Sequence, residues 1–428
     1  MVNRAAICVV ASLGAWQAAG CTLVTDSFVT NGFSGDPFPI GVDTRSGAIV
    51  VGLREGGADR RAVLDVLSPV TVVDPGRGVA PTINSSDLVL LGERAGSVGM
   101  PDLPRASFDA KQVIRVHPCS QEVETCTVGS VTAGTETPFD ALIGADVLAG
   151  DALRMRLGTD QIFVLADVGG SDRDRTYACD AVFPSPYRGG GTLVIAGTEV
   201  AFQGRRVTMQ ACLGADPDPL ITQSARGADV LVVVSTSIGI SLLSESAYER
   251  YRLARPAAPP LLALAEADVA LPSGKIAGRL ATIDKLALVA RSSRSPLAPC
   301  RQFYAHHLMT ERDCQAGDRD CPCEGGDVFC PVPGIVEIAP AVGLDFLIVS
   351  DDNATLQALR TELRPDQQEV DGILGTSVLR DVEVDIDYPH NRVLARCTSD
   401  ACDARPAIDD PDDRTQINGC LSAPPFGP

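Results

Sequence analysis

The sequence predicts a mainly β protein with few short helices, built from two related lobes. The stretch Val370–Cys397 alternates apolar and polar residues with period two around a Pro389/Asn391 turn, which is typical of a β-hairpin. A related pattern occurs at 140–165. With 40 glycines and 30 prolines in 428 residues, the composition favours many short strands and turns over long helices.

The two related stretches align at a constant offset of 231 residues, which places Gly144 on Gly375. A second matched pair, Val63–Val73 and Val233–Leu243, lies upstream of these at an offset of 170. Repeats of this length are far too long for the units of a solenoid. The same landmarks in the same order therefore predict two lobes of one molecule.

Breaks in the apolar pattern divide the chain into segments. The best linker is Gly214–Pro219, which reads GADPDP and separates two apolar regions. We predict an export signal at 1–20, a tether at 21–41, a first lobe at 42–213, an inter-lobe linker at 214–226, a second lobe at 227–402 with a Cys-rich insertion at about 298–333, and an acidic, Pro-rich tail at 403–428.

The first residues have the pattern of an export signal. Arg4 supplies the positive end, 5–16 is an apolar run, and small residues precede Cys21. This resembles a bacterial lipobox, so we expect lipid attachment at Cys21 and a lipid-anchored protein of the cell envelope, on the periplasmic or the surface side. Ordinary signal cleavage and secretion is the alternative. The apolar run is too short to span a bilayer.

The charge of the chain argues against one class of partner. The formal net charge is −19, whereas binding to nucleic acid phosphates needs a basic surface. We expect no nucleic acid partner and attribute the acidity to solubility.

Cysteines are numerous for an exported chain. Setting aside Cys8 in the signal and Cys21 leaves 12 of the 14, an even number that predicts disulfides. The first pairings to expect are Cys119 with Cys126, Cys179 with Cys212, and Cys397 with Cys402. The other candidates are Cys300, Cys314, Cys321, Cys323, Cys330 and Cys420.

The Cys-rich insertion allows an alternative, a zinc site. It carries His306 and His307 beside its cysteines, and thiolates with imidazoles can close a tetrahedral metal site. The cysteines of 314–330 are not spaced as paired C-x-x-C, and an oxidising compartment favours disulfides. We therefore expect no metal and no cofactor, with a metal-binding envelope protein as the alternative.

The acidic residues of the Val370–Cys397 stretch occur at every second position. Glu383, Asp385 and Asp387 alternate with apolar residues, so we predict that they form the solvated face of one strand.

Two short segments carry a family resemblance. The sequence LDVLSPVTVV begins at Leu64, and VSTSIGISLLSESAY begins at Val234. With the later apolar-apolar-Gly segments, they resemble the aspartic proteases of the pepsin and retropepsin type, in which each lobe carries Asp-Thr/Ser-Gly on a sharp turn above an apolar-apolar-Gly strand. The resemblance implies a bilobal pepsin-like (acid protease) fold. The implied motif turns contain Val66, Leu67, Ser68, Thr236 and Ser237, and the implied supporting strands contain Gly144 and Gly375.

The sequence departs from the family where the chemistry would take place. The resemblance places Asp65 on the first catalytic aspartate and Ser235 on the second. The family mechanism needs two carboxylates that share a proton, and a serine cannot replace one as a base. Leu67 and Ser237 occupy the glycine positions, and no Tyr or Trp lies in 75–139, where the family carries a flap tyrosine.

We therefore expect a protein that binds a peptide or protein ligand in its inter-lobe cleft, or acts as a scaffold, without catalysis. One alternative is an active endopeptidase that uses Asp65 with a second carboxylate such as Asp229. Another register, Asp74-Pro75-Gly76, supplies an Asp-x-Gly but lacks the matching strand after it.

Overall fold

The computed structural model describes residues 38–76, 78–92, 105–116, 139–165, 181–183, 187–195, 198–216, 227–271, 274–290, 298–311, 334–363, 369–405 and 407. The predicted signal, the lipidation site Cys21 and most of the predicted tail lie outside the described residues. So do the cysteines Cys119, Cys126, Cys179, Cys314, Cys321, Cys323, Cys330 and Cys420.

Among its described residues, the first half of the chain is mainly strands with one short helix, α1 (Ala145–Leu148), and a 3-10 turn at Leu157–Thr159. Its strands are β1 (Phe38–Pro39), β2 (Gly41–Val42), β3 (Ile49–Glu55), β4 (Ala58–Leu64), β5 (Thr71–Val73), β6 (Thr82–Leu91), β7 (Arg105–Arg115), β8 (Ala141–Ile143), β9 (Ala152–Arg156), β10 (Gln161–Leu165), β11 (Ala181–Phe183), β12 (Tyr187–Ile195) and β13 (Thr198–Arg206).

The second half adds four helices among its described elements, α2 (Glu245–Ala254), α3 (Pro299–Glu311), α4 (Ala354–Leu363) and α5 (Thr376–Leu379), and a 3-10 turn at Leu261–Ala263. None of these described helices has the length and apolarity to cross a membrane. The strands are β14 (Thr208–Leu213), β15 (Ala228–Val234), β16 (Ser241–Ser244), β17 (Ala265–Leu271), β18 (Gly274–Ile283), β19 (Leu286–Val289), β20 (Ile335–Ile338), β21 (Leu344–Val349), β22 (Gly372–Leu374), β23 (Val382–Asp387), β24 (Arg392–Cys397) and β25 (Cys402–Arg405).

Each lobe is built around one large sheet. The first-lobe sheet has the order β2-β3-β4-β8-β5-β7-β6, and β6 also pairs with β3, so the sheet closes on itself. The second-lobe sheet has the order β17-β18-β21-β16-β22-β15-β14-β19-β20-β25. Closure buries apolar side chains inside the first lobe, including Leu53, Leu64 and Leu88.

The central pairings of the two sheets are the same. In the first lobe β4 pairs in parallel with β8, with Leu64 opposite Ile143. In the second lobe β15 pairs in parallel with β22, with Val234 opposite Leu374. These residues correspond at the offsets of 170 and 231 found in the sequence. The prediction of a mainly β fold with two related lobes and few short helices is confirmed.

The strand β14 belongs to the second sheet, although the sequence pattern predicted that it would close the first lobe. It pairs with β15, with Cys212 opposite Asp229, and also with β19. Its partnership with β15 repeats that of β3 with β4. After it, the Gly214 amide donates to the Lys285 carbonyl at 2.8 Å. The strand therefore opens the second lobe, and the segment predicted as a linker begins inside that lobe.

A third sheet contains strands of both lobes, in the order β1-β10-β9-β23-β24-β11. First-lobe strand β9 pairs antiparallel with second-lobe strand β23, with Arg154 opposite Asp385. These two residues also correspond at the 231-residue offset. The axis that relates the lobes therefore passes between them, and this sheet joins the lobes.

The acidic residues of β23 are buried, so the prediction of a solvated face is wrong. Glu383, Asp385 and Asp387 are 3%, 1% and 0% exposed. Their strand lies inside the shared sheet, and arginines neutralise them. Asp385 accepts from Nε and Nη2 of Arg154, both at 2.7 Å; Glu383 pairs with Arg396 at 2.9 Å; Asp387 accepts from Arg392 at 2.8 Å.

Two disulfides lie in the described residues. The predicted bond Cys397–Cys402 is confirmed. Cys212 is bonded to Cys300, so its predicted pairing with Cys179 is wrong. Cys212 lies on β14 and Cys300 at the start of α3, and both belong to a buried apolar cluster with Phe303. This bond fixes α3 on the outer part of the second sheet.

Candidate functional site

The two motif turns face each other between the lobes, each supported by the strand before its glycine. The backbone contacts repeat position by position, which places Asp65 and Ser235 at equivalent points. The first-lobe bonds are Asp65 N to Ile143 O at 2.9 Å, Ala145 N to Ser68 O at 2.8 Å and Gly144 N to Thr71 Oγ1 at 3.0 Å. The second-lobe bonds are Ser235 N to Leu374 O at 2.9 Å, Thr376 N to Ile238 O at 2.8 Å and Gly375 N to Ser241 Oγ at 3.0 Å.

Glycine is required beneath both turns because other backbone approaches closely. A Cβ on Gly144 would lie 2.4 Å from the Val70 carbonyl oxygen, and one on Gly375 would lie 2.6 Å from the Ile240 carbonyl oxygen. The apolar-apolar-Gly pattern thus reflects steric exclusion at the base of each turn.

Hydroxyl groups of the second lobe surround the Asp65 carboxylate. Its Oδ1 accepts from Ser235 Oγ at 3.2 Å and from the Leu67 amide at 2.9 Å. Its Oδ2 accepts from Ser237 Oγ at 2.9 Å, and the two serine oxygens are 3.0 Å apart. The equivalent positions of the two turns therefore hold one carboxylate, on Asp65, and one hydroxyl, on Ser235.

Two further hydrogen bonds join the turns, and both use a side chain of the second lobe. Thr236 Oγ1 donates to the Leu64 carbonyl at 2.7 Å and accepts from the Val66 amide at 3.1 Å. The equivalent first-lobe position is Val66, which has no hydroxyl with which to return the bonds. The second lobe therefore supplies every side-chain hydroxyl that joins the two turns.

Leu67 makes an apolar contact between the lobes. Its side chain packs against a cluster of the second lobe that includes Val233, Ile238 and Leu242. This contact adds to the hydroxyl contacts that hold the two turns together.

Burial raises the pKa of the Asp65 carboxyl. The opposing contributions come from the Leu67 amide, the Ser237 and Ser235 hydroxyls and the charge of Arg206, in decreasing order. Since the folded state holds this proton more tightly than the unfolded chain, the unfolding free energy falls as pH rises from the unfolded pKa to the folded one.

Asp65→Asn is expected to remove this pH dependence. The stability of the variant relative to the natural chain should rise as pH increases from about 4, the ordinary aspartate pKa, because the variant has no buried carboxyl to ionise. Urea unfolding at a series of pH values measures the effect. Asp268→Asn, at an exposed position on β17, is the matched control, and a parallel course for both variants would contradict the interpretation.

Two other aspartates considered from the sequence lie elsewhere. Asp229 is at the start of β15, six residues before Ser235 and so about 20 Å away along an extended strand. Its Oδ1 accepts from the Cys300 amide at 2.7 Å, so it is not a second carboxylate beside Asp65. Asp74 Oδ1 accepts from the Gly76 amide at 2.7 Å within its own turn.

Arg206 and Tyr388, which no motif of the sequence marks, interact electrostatically with Asp65. Arg206, at the end of β13, binds Glu362 of α4 with Nη2 to Oε2 at 2.6 Å, and its charge acts on Asp65. The Tyr388 side chain is 2% exposed; burial and the charge of Asp65 raise its pKa. No local pattern marks either residue, since each is more than 100 residues from Asp65 in the sequence.

The described residues contain no group of three or more His, Cys, Asp and Glu side chains arranged to hold a metal ion. The cysteines on which the zinc alternative depends, at 314–330, lie outside the described residues.

Two solved structures are among those that match this chain. An aspartic proteinase from Irpex lacteus is 12% identical with a TM-score of 0.35, over 86% of this chain and 98% of that one. Basic 7S globulin from soybean is 11% identical with a TM-score of 0.40, over 85% of this chain and 96% of that one. No protein-family model matches the sequence, and no curated protein matches it significantly. The fold described above rests on the chain's own strand pairings.

Proposed function

We propose that this chain is an exported, aspartic-protease-like protein without proteolytic activity, which acts as a binding or scaffold protein through its inter-lobe cleft. The observation that carries the proposal is the set of partners of Asp65, namely the hydroxyls of Ser235 and Ser237 and the Leu67 amide. We further propose, from the signal pattern, that a lipid on Cys21 anchors it to a membrane of the cell envelope.

The chemistry of a carboxyl dyad explains why one carboxyl is insufficient. Two carboxyls in contact split their pKa values, so that one acts as a base towards water while the other acts as an acid. The single carboxyl of Asp65 can act as the base or as the acid, but it cannot act as both at once. A serine hydroxyl cannot serve as the other base near neutral or acid pH.

The test is the cleavage of a broad peptide library by the purified chain from acid to neutral pH, with a pepstatin-type inhibitor as control. We expect no inhibitor-sensitive cleavage from the natural chain or from Asp65→Asn. Cleavage that the inhibitor blocks and that Asp65→Asn abolishes would refute the proposal and favour the alternative of an active endopeptidase.

A gain-of-function pair sharpens this test. Ser235→Asp supplies the missing carboxyl, and combining it with Leu67→Gly removes the side chain that packs across the turn. If the loss of activity arises at these positions, the double variant is expected to show cleavage above the natural chain. Ser235→Asn with Leu67→Gly is the matched control, which opens the same space without adding a carboxyl.

A further inference from the structure

A cavity of about 690 Å³ lies within the first lobe, apart from the Asp65 site. It is bounded by β7, by α1 with the turn after it, and by β13. Its volume is typical of ligand pockets. All its lining residues fall between Pro69 and Arg205, so the second lobe takes no part in it. We call this cavity the first-lobe groove.

One wall of the first-lobe groove is an open strand edge. Six consecutive residues of β7, Ser107–Gln112, line it, although successive side chains of a strand point to opposite faces. Only the edge of the strand can present such a continuous run. On that side, β5 pairs with β7 at Val113–Arg115 alone, and the described chain places no strand beside Ser107–Gln112.

The facing wall is a second open edge. Ala201, Phe202 and Gln203 of β13 line the groove consecutively, and β13 pairs within the described residues with β12 only. The two edges converge at one end, where Val200 packs with Val70, Ile114 and Val116 in a buried cluster. Beyond that cluster, the edges of β7 and β13 that have no strand partner among the described residues both border the groove.

The charges in the groove favour a cationic occupant. Asp146 is engaged by Thr71, whose hydroxyl and amide donate at 2.7 and 3.0 Å. Asp109 and Lys111 pair with each other, and Arg205 donates to the Ala149 carbonyl at 2.9 Å. The half-buried Asp151 carboxylate has no hydrogen-bond or ion-pair partner among the described residues.

We propose that the first-lobe groove binds an extended polypeptide segment as an added β-strand, with apolar residues alternating with lysine or arginine. The open edges of β7 and β13 supply main-chain hydrogen bonds, as in other strand-addition complexes. The partly exposed Phe202 receives an apolar side chain, and Asp151 receives a basic one. The proposal does not depend on whether the Asp65 site is inactive.

The test is calorimetric titration of the purified chain with a capped peptide of alternating lysine and valine. Two further peptides have the same composition with alternate amides N-methylated, or have glutamate in place of lysine. We expect binding by the first peptide only. Equal binding of the N-methylated peptide would overturn strand addition, and equal binding of the acidic peptide would overturn the proposed charge recognition.

A pair of variants locates the binding. Asp151→Asn is expected to weaken binding of the lysine–valine peptide by up to about fivefold, the range for loss of one partly exposed ion pair. Glu199→Gln, on exposed β13 surface outside the groove, is expected to leave the affinity unchanged. Thermal unfolding of both variants checks that they fold. Folded variants that bind with the same affinity would place the peptide elsewhere, including the inter-lobe cleft, and would refute this site.

Discussion

Replacing Arg154 with methionine is expected to lower the free energy of unfolding by about 3–5 kcal/mol, the range for removing one member of a buried ion pair. Arg154 and Asp385 are each 1% exposed and make two bonds of 2.7 Å across the shared sheet. The variant leaves Asp385 buried with Arg396, whose Nη2 is 3.3 Å from it. The lost solvation of that carboxylate is then largely uncompensated.

Chemical denaturation of three variants measures this effect. Replacing both partners, Arg154→Met with Asp385→Leu, is expected to recover much of the loss, because no unpaired charge at these two positions remains buried. Arg54→Met removes the exposed pair with Asp59 and is expected to leave the midpoint nearly unchanged. If Arg154→Met behaves like Arg54→Met, the shared sheet does not depend on this ion pair to join the lobes.

Removing the disulfide between Cys212 and Cys300 is the other change expected to have a large effect. The two cysteines are 88 residues apart in sequence, and closing a loop of that length restricts the unfolded chain by about 4–5 kcal/mol. Replacing both with alanine should therefore lower the unfolding free energy by up to that amount, and should loosen α3 from the second sheet.

The bond between Cys397 and Cys402 provides the internal comparison. It spans five residues, for which the same loop-closure relation gives only about 2 kcal/mol. Unfolding of the two double-alanine variants should show the larger loss for the Cys212/Cys300 pair. An equal loss for both variants would mean that chain restriction is not the source of the difference, and that local packing around each bond decides its contribution.

The residues that the repeat offsets matched in the sequence are those that carry equivalent hydrogen bonds in the structure. Gly144 and Gly375 could be recognised because duplicated lobes repeat their steric requirements, and a carbonyl lies within 3 Å of where each Cβ would be. Asp65 and Ser235 follow from the same alignment. Their mutual contact is the expected result of two equivalent turns meeting at one axis.

The acidic strand shows where sequence patterns were insufficient. Period two correctly predicted a β-strand for Glu383, Asp385 and Asp387, but whether a polar face meets water depends on what covers it. Here the neighbours are β9, more than 200 residues earlier, and β24. Arg154, which pairs with Asp385, and Arg156, which pairs with Glu383, carry no local signal that marks them as partners of these acids. The pairing of Cys212 was missed for the same reason, since its partner lies on a helix after five intervening strands.

The mainly β class, the duplication, the positions of both motif turns and the serine at position 235 could all be read from the sequence. These features depend on the order and spacing of residue types. Local backbone geometry and internal repetition therefore reveal them in the sequence. The burial of the charged residues and the binding of Ser237 and Thr236 to the first-lobe turn became visible only in the three-dimensional structure. Each of these features depends on contacts between segments that are distant in the sequence, and such contacts decide which side chains are buried.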